Sequence, residues 1–500
     1  GLLNLELGAQ GIQEDELLDL CRAAVNYSVQ TCHPHFKNQL YGGTDPYGLA
    51  ATWLSEALNT NIHTYEVAPV FVLVECAVLK QLLTLFELPD GDGIFSPVYR
   101  EGEKFPYPCN KWFRFVATFT SNQLLELMAQ IMGAFQERFN KASLRKATLL
   151  DWERRAFAFG NVKDRPWCGR KKKREETCAG VAASIEQCPI KSTRKRAAEL
   201  GGSMSNMYGM VLARYKAVPD SKTKGLFGIP PLVAFASEDG HYSVKKGAHW
   251  LGIGTDNVIP VKTDSHGRLL PSDLIRCVEN AIAEGKKPFF VTATSGTTVL
   301  GAFDPLEKLA DICQQYGMWL HVDACWGGSL IFSKKHRHLL QGLSRVDSVA
   351  WNAHKMLGAP LQCSVFLTRE KELMHHCNSA SASYLFQQDK FYDVTFDTGD
   401  KSVQCGRKVD AFKLWLMWKA RGDNGFESLI NNAMDAARYR VAPKIKEKLI
   451  LSGSVMIGYQ PLPHKGLRNF FRFVTSCHPP ATHEDMDYIW QEIERHGADL

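Results

Sequence analysis

No run of 18 or more apolar residues occurs anywhere in the 500-residue chain, so no helical membrane span is expected. The opening GLLNLELGAQG lacks a basic stretch followed by an apolar core, so it does not read as a signal peptide. With Gly1 in first place, the natural start is expected further upstream. The 14 cysteines are scattered and include no C-x-x-C pair, which favours reduced thiols in a cytosolic protein over a disulfide or zinc framework. There are no internal repeats and no pattern that calls for a metal. A composition 45% hydrophobic and 22% charged is that of an ordinary globular protein, long enough for a large α/β domain and a smaller one.

The net charge of +6 is confined to one segment. Residues 98–200 hold 21 Lys and Arg against 11 Asp and Glu, leaving 38 basic and 42 acidic residues elsewhere. The surplus is therefore no nucleic-acid footprint of the whole protein. Periodicity is clearest around residues 289–322. A short apolar strand (289–294) leads through TSGTTVLGAF to Asp304, Pro305 and Glu307, a capping signature for a helix that stops at Gly317. A strand over 319–322 follows, giving a β-α-β unit and hence a parallel sheet covered by helices. Amphipathic spacing predicts a helix over 16–29, and helical stretches are possible over 124–139. Residues 470–475 read as a strand and 482–496 as a capped helix ending at Gly497.

Four short stretches carry candidate chemistry. DSVAWNAHKMLGAP places Lys355 after an apolar strand, where an ammonium must be exposed, paired or chemically tied up. HVDACWGGS puts Asp323 at the C-terminal end of a strand, the edge where open α/β sheets bind ligands. GGSMSN precedes a helical run from about Asn206, whose amide groups would suit a phosphate. EDGHYSVKKGA offers His241 as an aromatic for stacking. Singly, these read as a surface lysine, a turn-capping aspartate, a serine-rich helix start and an ordinary histidine. Together they match the needs of pyridoxal phosphate: a lysine for its aldehyde, an anion for its ring nitrogen, a phosphate cradle and a ring to stack.

Longer motifs resemble the group II pyridoxal-phosphate decarboxylases, in the branch of glutamate decarboxylase and cysteine sulfinic acid decarboxylase. They are TYEVAPVFVLVE, ATSGTTVLGAFDPL, LHVDACWGGS, SYLFQQDKFYDV, DTGDKSVQCGRKVDAFKLWLMWKA and GYQP…NFFRFV. NQLYGG, LNTNIHTYEVAPVF, KLWLMWKARGD and MIGYQP are most similar to the cysteine sulfinic acid decarboxylases.

The resemblance implies the type I fold of pyridoxal-phosphate transferases, an α/β large domain with a mostly parallel central sheet and a smaller C-terminal α+β domain. The implied division is an N-terminal substrate-contact segment (1–60), a cofactor domain (61–97 and 201–424), an insertion outside the fold (98–200) and a shortened small domain (425–500). It further implies that Lys355 binds the cofactor as an imine and that Asp323 pairs with the ring nitrogen. His241 stacks on the ring. Ser203, the Met204 backbone, Ser205 and Asn352 hold the phosphate, with His354 beside it, and Thr294 lies near the ring substituents. Tyr384 returns a proton to the α-carbon, while Gln39, Tyr41 and Arg472 contact the substrate. The implied reaction is decarboxylation of a small acidic amino acid, cysteine sulfinate to hypotaurine or aspartate to β-alanine, by a cytoplasmic homodimer without nucleic-acid or membrane partners. Alternatives are a glutamate or other acidic amino acid decarboxylase, and an inactive chain that only binds.

Three features depart from the family pattern. N-A-H-K stands where N-P-H-K is usual, so Ala353 lacks a fixed φ. GDGIFSP ends at Pro97 and GGSMSN resumes at Gly201, where the family runs straight on; the intervening segment has the look of a retained intron, with a basic nucleic-acid-binding domain as the alternative. AARYR meets VAPKIKEK directly at Arg440, without about 60 residues that include strands of the small domain. The sheet behind Arg472 is therefore expected to lack partners and to expose an edge.

Overall fold

The computed structural model describes residues 11–96, 193–435, 449, 454–462, 467–472, 474 and 482–497, apart from positions 30, 34, 38 and 405. The helical expectation over 124–139, nearly all of the 98–200 segment and the join at Arg440 lie outside the described residues.

Seven strands form the central sheet: β2 (Asp92–Phe95), β3 (Leu232–Ser237), β4 (Val258–Val261), β5 (Lys287–Thr294), β6 (Trp319–Asp323), β7 (Ser348–Asn352) and β8 (Ser364–Thr368). Their order is β2-β8-β7-β6-β5-β3-β4. The five strands from β7 to β4 run parallel, and β8 and β2 join antiparallel at one side. Because both faces are covered, these strands are largely apolar rather than alternating. In β3 every residue is buried: Val233 and Phe235 enter one core, while Leu232, Ala234 and Ala236 enter the other.

Helices α1 (Glu14–Asn26), α2 (Pro46–Leu58) and α3 (Pro69–Leu85) precede the sheet. Between the strands come α4 (Thr193–Ala217), α5 (Ser243–Trp250), α6 (Pro271–Ala283) and α7 (Leu306–Tyr316). Helices α8 (Leu373–Asn378), α9 (Asp410–Asp435) and α10 (His483–Gly497) follow it. One face of the sheet packs on α4 and α5, through Tyr208, Leu212, Val244 and Ala248. The other packs on α3, α6, α7 and α9, through residues such as Leu82, Leu274, Leu309 and Leu414.

The β5-α7-β6 unit is present, and Gly317 ends α7 with a left-handed φ of 65°. Asp304 does not cap α7, however. Its carboxylate accepts hydrogen bonds from the Leu269 and Thr294 amides, both at 2.7 Å, and so braces the end of β5. At α10 the capping signal holds: Thr482 and Asp485 bond reciprocally, amide to carboxylate at 2.8 Å and amide to hydroxyl at 3.1 Å.

A further expectation is corrected. A helix start at about Asn206 is replaced by a start at Thr193, which puts Gly201 to Ser205 inside α4. The upstream sequence TRKRAAEL is rich in strong helix formers and simply continues the helix backwards. The strand carrying Arg472 is β10 (Leu467–Arg472), which stands at the edge of its sheet among the described residues. It pairs antiparallel with β9 (Met456–Leu462), and β9 pairs in parallel with β1 (Phe36–Lys37). The N-terminal segment thus supplies a strand to the sheet behind Arg472.

The two flanks of the 98–200 segment meet. The Ser205 hydroxyl donates to the Ser96 hydroxyl at 2.7 Å, both buried, and the Ser96 amide donates to the Ser364 carbonyl at 2.9 Å. The chain therefore leaves the sheet and returns to it at one place. Removing 98–200 and joining Pro97 to Gly201 is expected to raise soluble yield and to preserve one cooperative thermal transition at no lower a midpoint. Lower solubility or a lower midpoint would make the segment a working part of the fold.

Candidate active site

Three neighbouring strands end at the same edge. Thr294 closes β5, Asp323 closes β6 and Asn352 closes β7; all three are buried. Thr294 lies opposite Asp323 in register, and Asp323 opposite Ala350. This is the carboxyl edge of the parallel strands, where ligands enter open α/β sheets.

Asp323 is the electrostatic centre. Its Oδ2 accepts from Asn206 Nδ2 at 2.8 Å, and its Oδ1 accepts from the Cys325 amide at 3.1 Å. Burial pushes its carboxyl upward, but the charges of His241 and Lys355 and hydrogen bonds from the Asn206 and Cys325 side chains outweigh burial and hold it below the ordinary value. The Cys325 thiol is driven far the other way, by burial and by the charge of Asp323. The result is an anion beside a neutral thiol.

Lys355 sits in the turn after β7, where its amide donates to the Asn352 carbonyl at 3.2 Å. It is half-buried, and among the described residues it forms no ion pair. Trp351 anchors this turn: it is fully buried, donates to Ser329 Oγ at 3.0 Å and packs between Phe86 and Phe332. Truncating a tryptophan so placed costs about 3–5 kcal/mol, so the strand end that carries Lys355 is rigid. His241 is half-buried, with its Nδ1 accepting from the Ser243 amide at 3.3 Å. His354 is buried with Nδ1 against the Cys363 main chain.

The cradle is tested at Asn352. Its side-chain nitrogen and oxygen are buried, and neither has a hydrogen-bond partner. A Cβ on Gly202 would stand 2.8 Å from that nitrogen and 2.8 Å from Cys325 Sγ, so only glycine fits there. An orphaned carboxamide at a glycine-lined wall, near an anion and a lysine without an ionic partner, fits a phosphorylated pyridine aldehyde. Among the described residues no group of three or more His, Cys, Asp or Glu could hold a metal ion.

The structure brings Lys355, Asp323, Asn352 and Thr294 to one edge, with Ser203, Met204 and Ser205 on the adjoining α4. The substrate-contact candidates stand on a separate sheet. Gln39 and Tyr41 are half-buried just after β1, and Arg472 ends β10 opposite Gly458, its side chain outside the described residues. Tyr384 is not brought in: it is 77% exposed and shares no hydrogen bond with Lys355, Asp323 or His241. The base of its loop is tied down by the Lys390–Asp397 ion pair at 2.7 Å and by the Tyr65 amide donating to Asp397 at 2.8 Å. Asn206 was missed by sequence reasoning. Its signal was position, three residues after Ser203 and so on the same helix face.

The pyridoxal-dependent decarboxylase conserved domain matches residues 2–102 and 186–449. The human cysteine sulfinic acid decarboxylase is 41% identical, over 100% of this chain and 89% of that protein. The acidic amino acid decarboxylase GADL1 of Bos taurus is also 41% identical, over 100% of this chain and 84% of the relative. The crystal structure of mouse CSAD superposes with a TM-score of 0.76 at 39% identity, covering 100% of this chain and 91% of that one. The rice TDC structure with PLP and tryptamine shares the fold, with a TM-score of 0.71 at 17% identity, over 99% of this chain and 90% of the other.

Asp323→Asn removes the anion but keeps the shape. It is expected to leave the thermal midpoint nearly unchanged and to cut turnover by about 10²-fold or more, the scale on which one preorganised charge acts. Unchanged turnover in a steady-state assay would count against Asp323 as the charge the reaction uses.

Proposed function

The chain belongs to the pyridoxal-dependent decarboxylase family, and from that premise we propose that it decarboxylates a small acidic amino acid, cysteine sulfinate first and aspartate second, to hypotaurine and β-alanine. The observation that carries the substrate class is the three-stranded sheet. Lys37 pairs with Ile457, and the next residue of β9, Gly458, pairs with Arg472. The segment that leads to Gln39 and Tyr41 therefore runs two strand spacings, about 10 Å, from the backbone of Arg472. A guanidinium grips a carboxylate or sulfinate through its two-pronged fork, and Gln39 adds a donor. The relatives named for cysteine sulfinate and for acidic amino acids are equally similar at 41%, so the order of substrates rests on Tyr41. Tyr41 fills space that a small residue would leave open and favours the shorter side chain.

Each residue then has a task. When bound, pyridoxal phosphate supplies an electron-poor ring that would take up the electron pair left on the α-carbon as carbon dioxide departs. Lys355 would hold the cofactor through its amine. Asp323, kept anionic, would hold a proton on the ring nitrogen. His241 would cover one ring face, and Thr294 would bound the ring edge. Ser203, the Met204 amide, Ser205 and Asn352 would hold the phosphate, with His354 behind them. Tyr384 would deliver a proton to the α-carbon, which requires its exposed loop tip to approach a site, on its own copy or on a second one. A cytoplasmic homodimer is the proposed assembly. Among the described residues no helix is long and apolar enough to cross a membrane.

One observation favours a second reading, a chain that folds but does not load its cofactor. Helix α4 begins at Thr193, so the amides of Gly202 to Ser205 lie inside it rather than at an open N-terminus. Purified full-length protein separates the two readings, because the loaded form shows the yellow absorbance of bound pyridoxal phosphate and the unloaded form does not.

Substrate choice is tested by competition. One methylene discriminates by about 10–200-fold, so the loaded enzyme is expected to prefer cysteine sulfinate over glutamate within that range, and Tyr41→Ser is expected to narrow the gap. Fastest turnover of glutamate would overturn the substrate while leaving the cofactor in place.

A further inference from the structure

Asp323 stands at one end of a buried line of polar side chains that the reaction as described does not use. Asn206 Nδ2 donates to Asp323 Oδ2 at 2.8 Å and also to Ser243 Oγ at 2.9 Å. Asn206 Oδ1 lies 3.0 Å from His321 Nε2. His321 Nδ1 lies 2.8 Å from Ser348 Oγ, and Trp319 Nε1 donates to that same oxygen at 2.8 Å. All of these residues are buried, His321 and Ser348 completely.

The backbone accounts for the line. Trp319, His321 and Asp323 alternate along β6 and so share one face of the strand. Ser348 is the register partner of His321 on β7. Gly209 lets α4 come close: a Cβ there would stand 2.7 Å from His321 Nδ1.

The direction of every hydrogen bond follows from the two ends. An indole N–H can only donate, so Ser348 Oγ accepts from Trp319. Asp323 as an anion can only accept, so Asn206 turns its amide nitrogen toward Asp323 and its oxygen toward His321. His321 Nε2 must then carry a proton. Burial brings the imidazole down to about 4, so the ring is neutral, its Nδ1 is bare, and that nitrogen takes the Ser348 hydroxyl proton. A single arrangement of protons satisfies all five groups.

We propose that Trp319, Ser348, His321 and Asn206 form a one-way hydrogen-bond relay that holds Asp323 as an aimed anion, which makes His321 and Asn206 positioning residues for the cofactor's ring nitrogen. The proposal rests on the reading of Asp323 as the partner of that nitrogen. Without the relay, the Asn206 oxygen loses its donor, and the carboxamide that aims Asp323 is held from the nitrogen end alone. A polar core that merely satisfied itself would support the fold but would not sense what binds at the ring nitrogen.

The test compares two ligands on apoprotein, pyridoxal phosphate and its analogue with a CH group in place of the ring nitrogen. Affinities are read by fluorescence titration for the unaltered chain and for Asp323→Asn, His321→Leu, His321→Gln and Ser348→Ala. His321→Leu is expected to weaken pyridoxal phosphate by about 10- to 100-fold, the range for partners one step behind a ligand, and to leave the analogue unchanged. His321→Gln, which keeps an N–H toward Asn206, is expected to recover most of the loss. Ser348→Ala removes one oxygen, is expected to show a smaller loss of the same selectivity, and decides the matter if the leucine variant does not fold. Equal loss for both ligands, or no loss, overturns the relay. If Asp323→Asn itself shows no selectivity for the ring nitrogen, the assignment of Asp323 falls, and the relay with it.

Discussion

A carboxylate buried as deeply as that of Asp323 survives as an anion only because the surrounding groups answer it. Asn206 and the Cys325 amide donate to it, while His241 and Lys355 supply positive charge. Each of these groups is placed by a different part of the fold: α4, the turn after β6, the loop after β3 and the turn after β7. The site therefore exists only where the parallel sheet has closed with the correct register. A slip of one residue in β6 would turn Asp323, His321 and Trp319 to the opposite face. Stability and chemistry depend on the same strand pairing.

What could be read in the sequence was mostly local. The β5-α7-β6 unit, the Gly317 stop and the Thr482 capping box each depend on residues within a few positions of one another. The strand end at Asp323 could be read because small residues after an apolar strand announce a ligand edge. Non-local features could not be read in this way. Asp304 looked like a helix cap, but its carboxylate reaches across to Leu269 and Thr294. The pairing of Lys37 with Ile457 spans most of the chain, and two residues of strand are too short a signal to announce it. The link between Asn206 and His321 could not be read either, because it joins a helix to a strand more than 100 residues away.

The early start of α4 has a physical origin of the same kind. Separating two contacting residues by about 100 positions instead of about ten costs roughly 2 kcal/mol, so the contact between Ser96 and Ser205 is compatible with a folded sheet. The residues just before Gly201, TRKRAAEL, are strong helix formers, and they extend the helix into the place where an open N-terminus would meet a phosphate. Tolerance by the fold and competence of the site are thus separate questions. The Ser96–Ser205 bond belongs to the first, and the helix start at Thr193 belongs to the second.

Lys355 is the residue on which the chemistry turns, and its attachment to the cofactor can be observed directly. Protein loaded with pyridoxal phosphate is reduced with borohydride, digested and mapped by mass spectrometry. A pyridoxyl label is expected on the peptide that contains Lys355, and Lys355→Ala protein treated in the same way is expected to carry none. Label on a different lysine, or label that persists in the Lys355→Ala protein, would contradict the site.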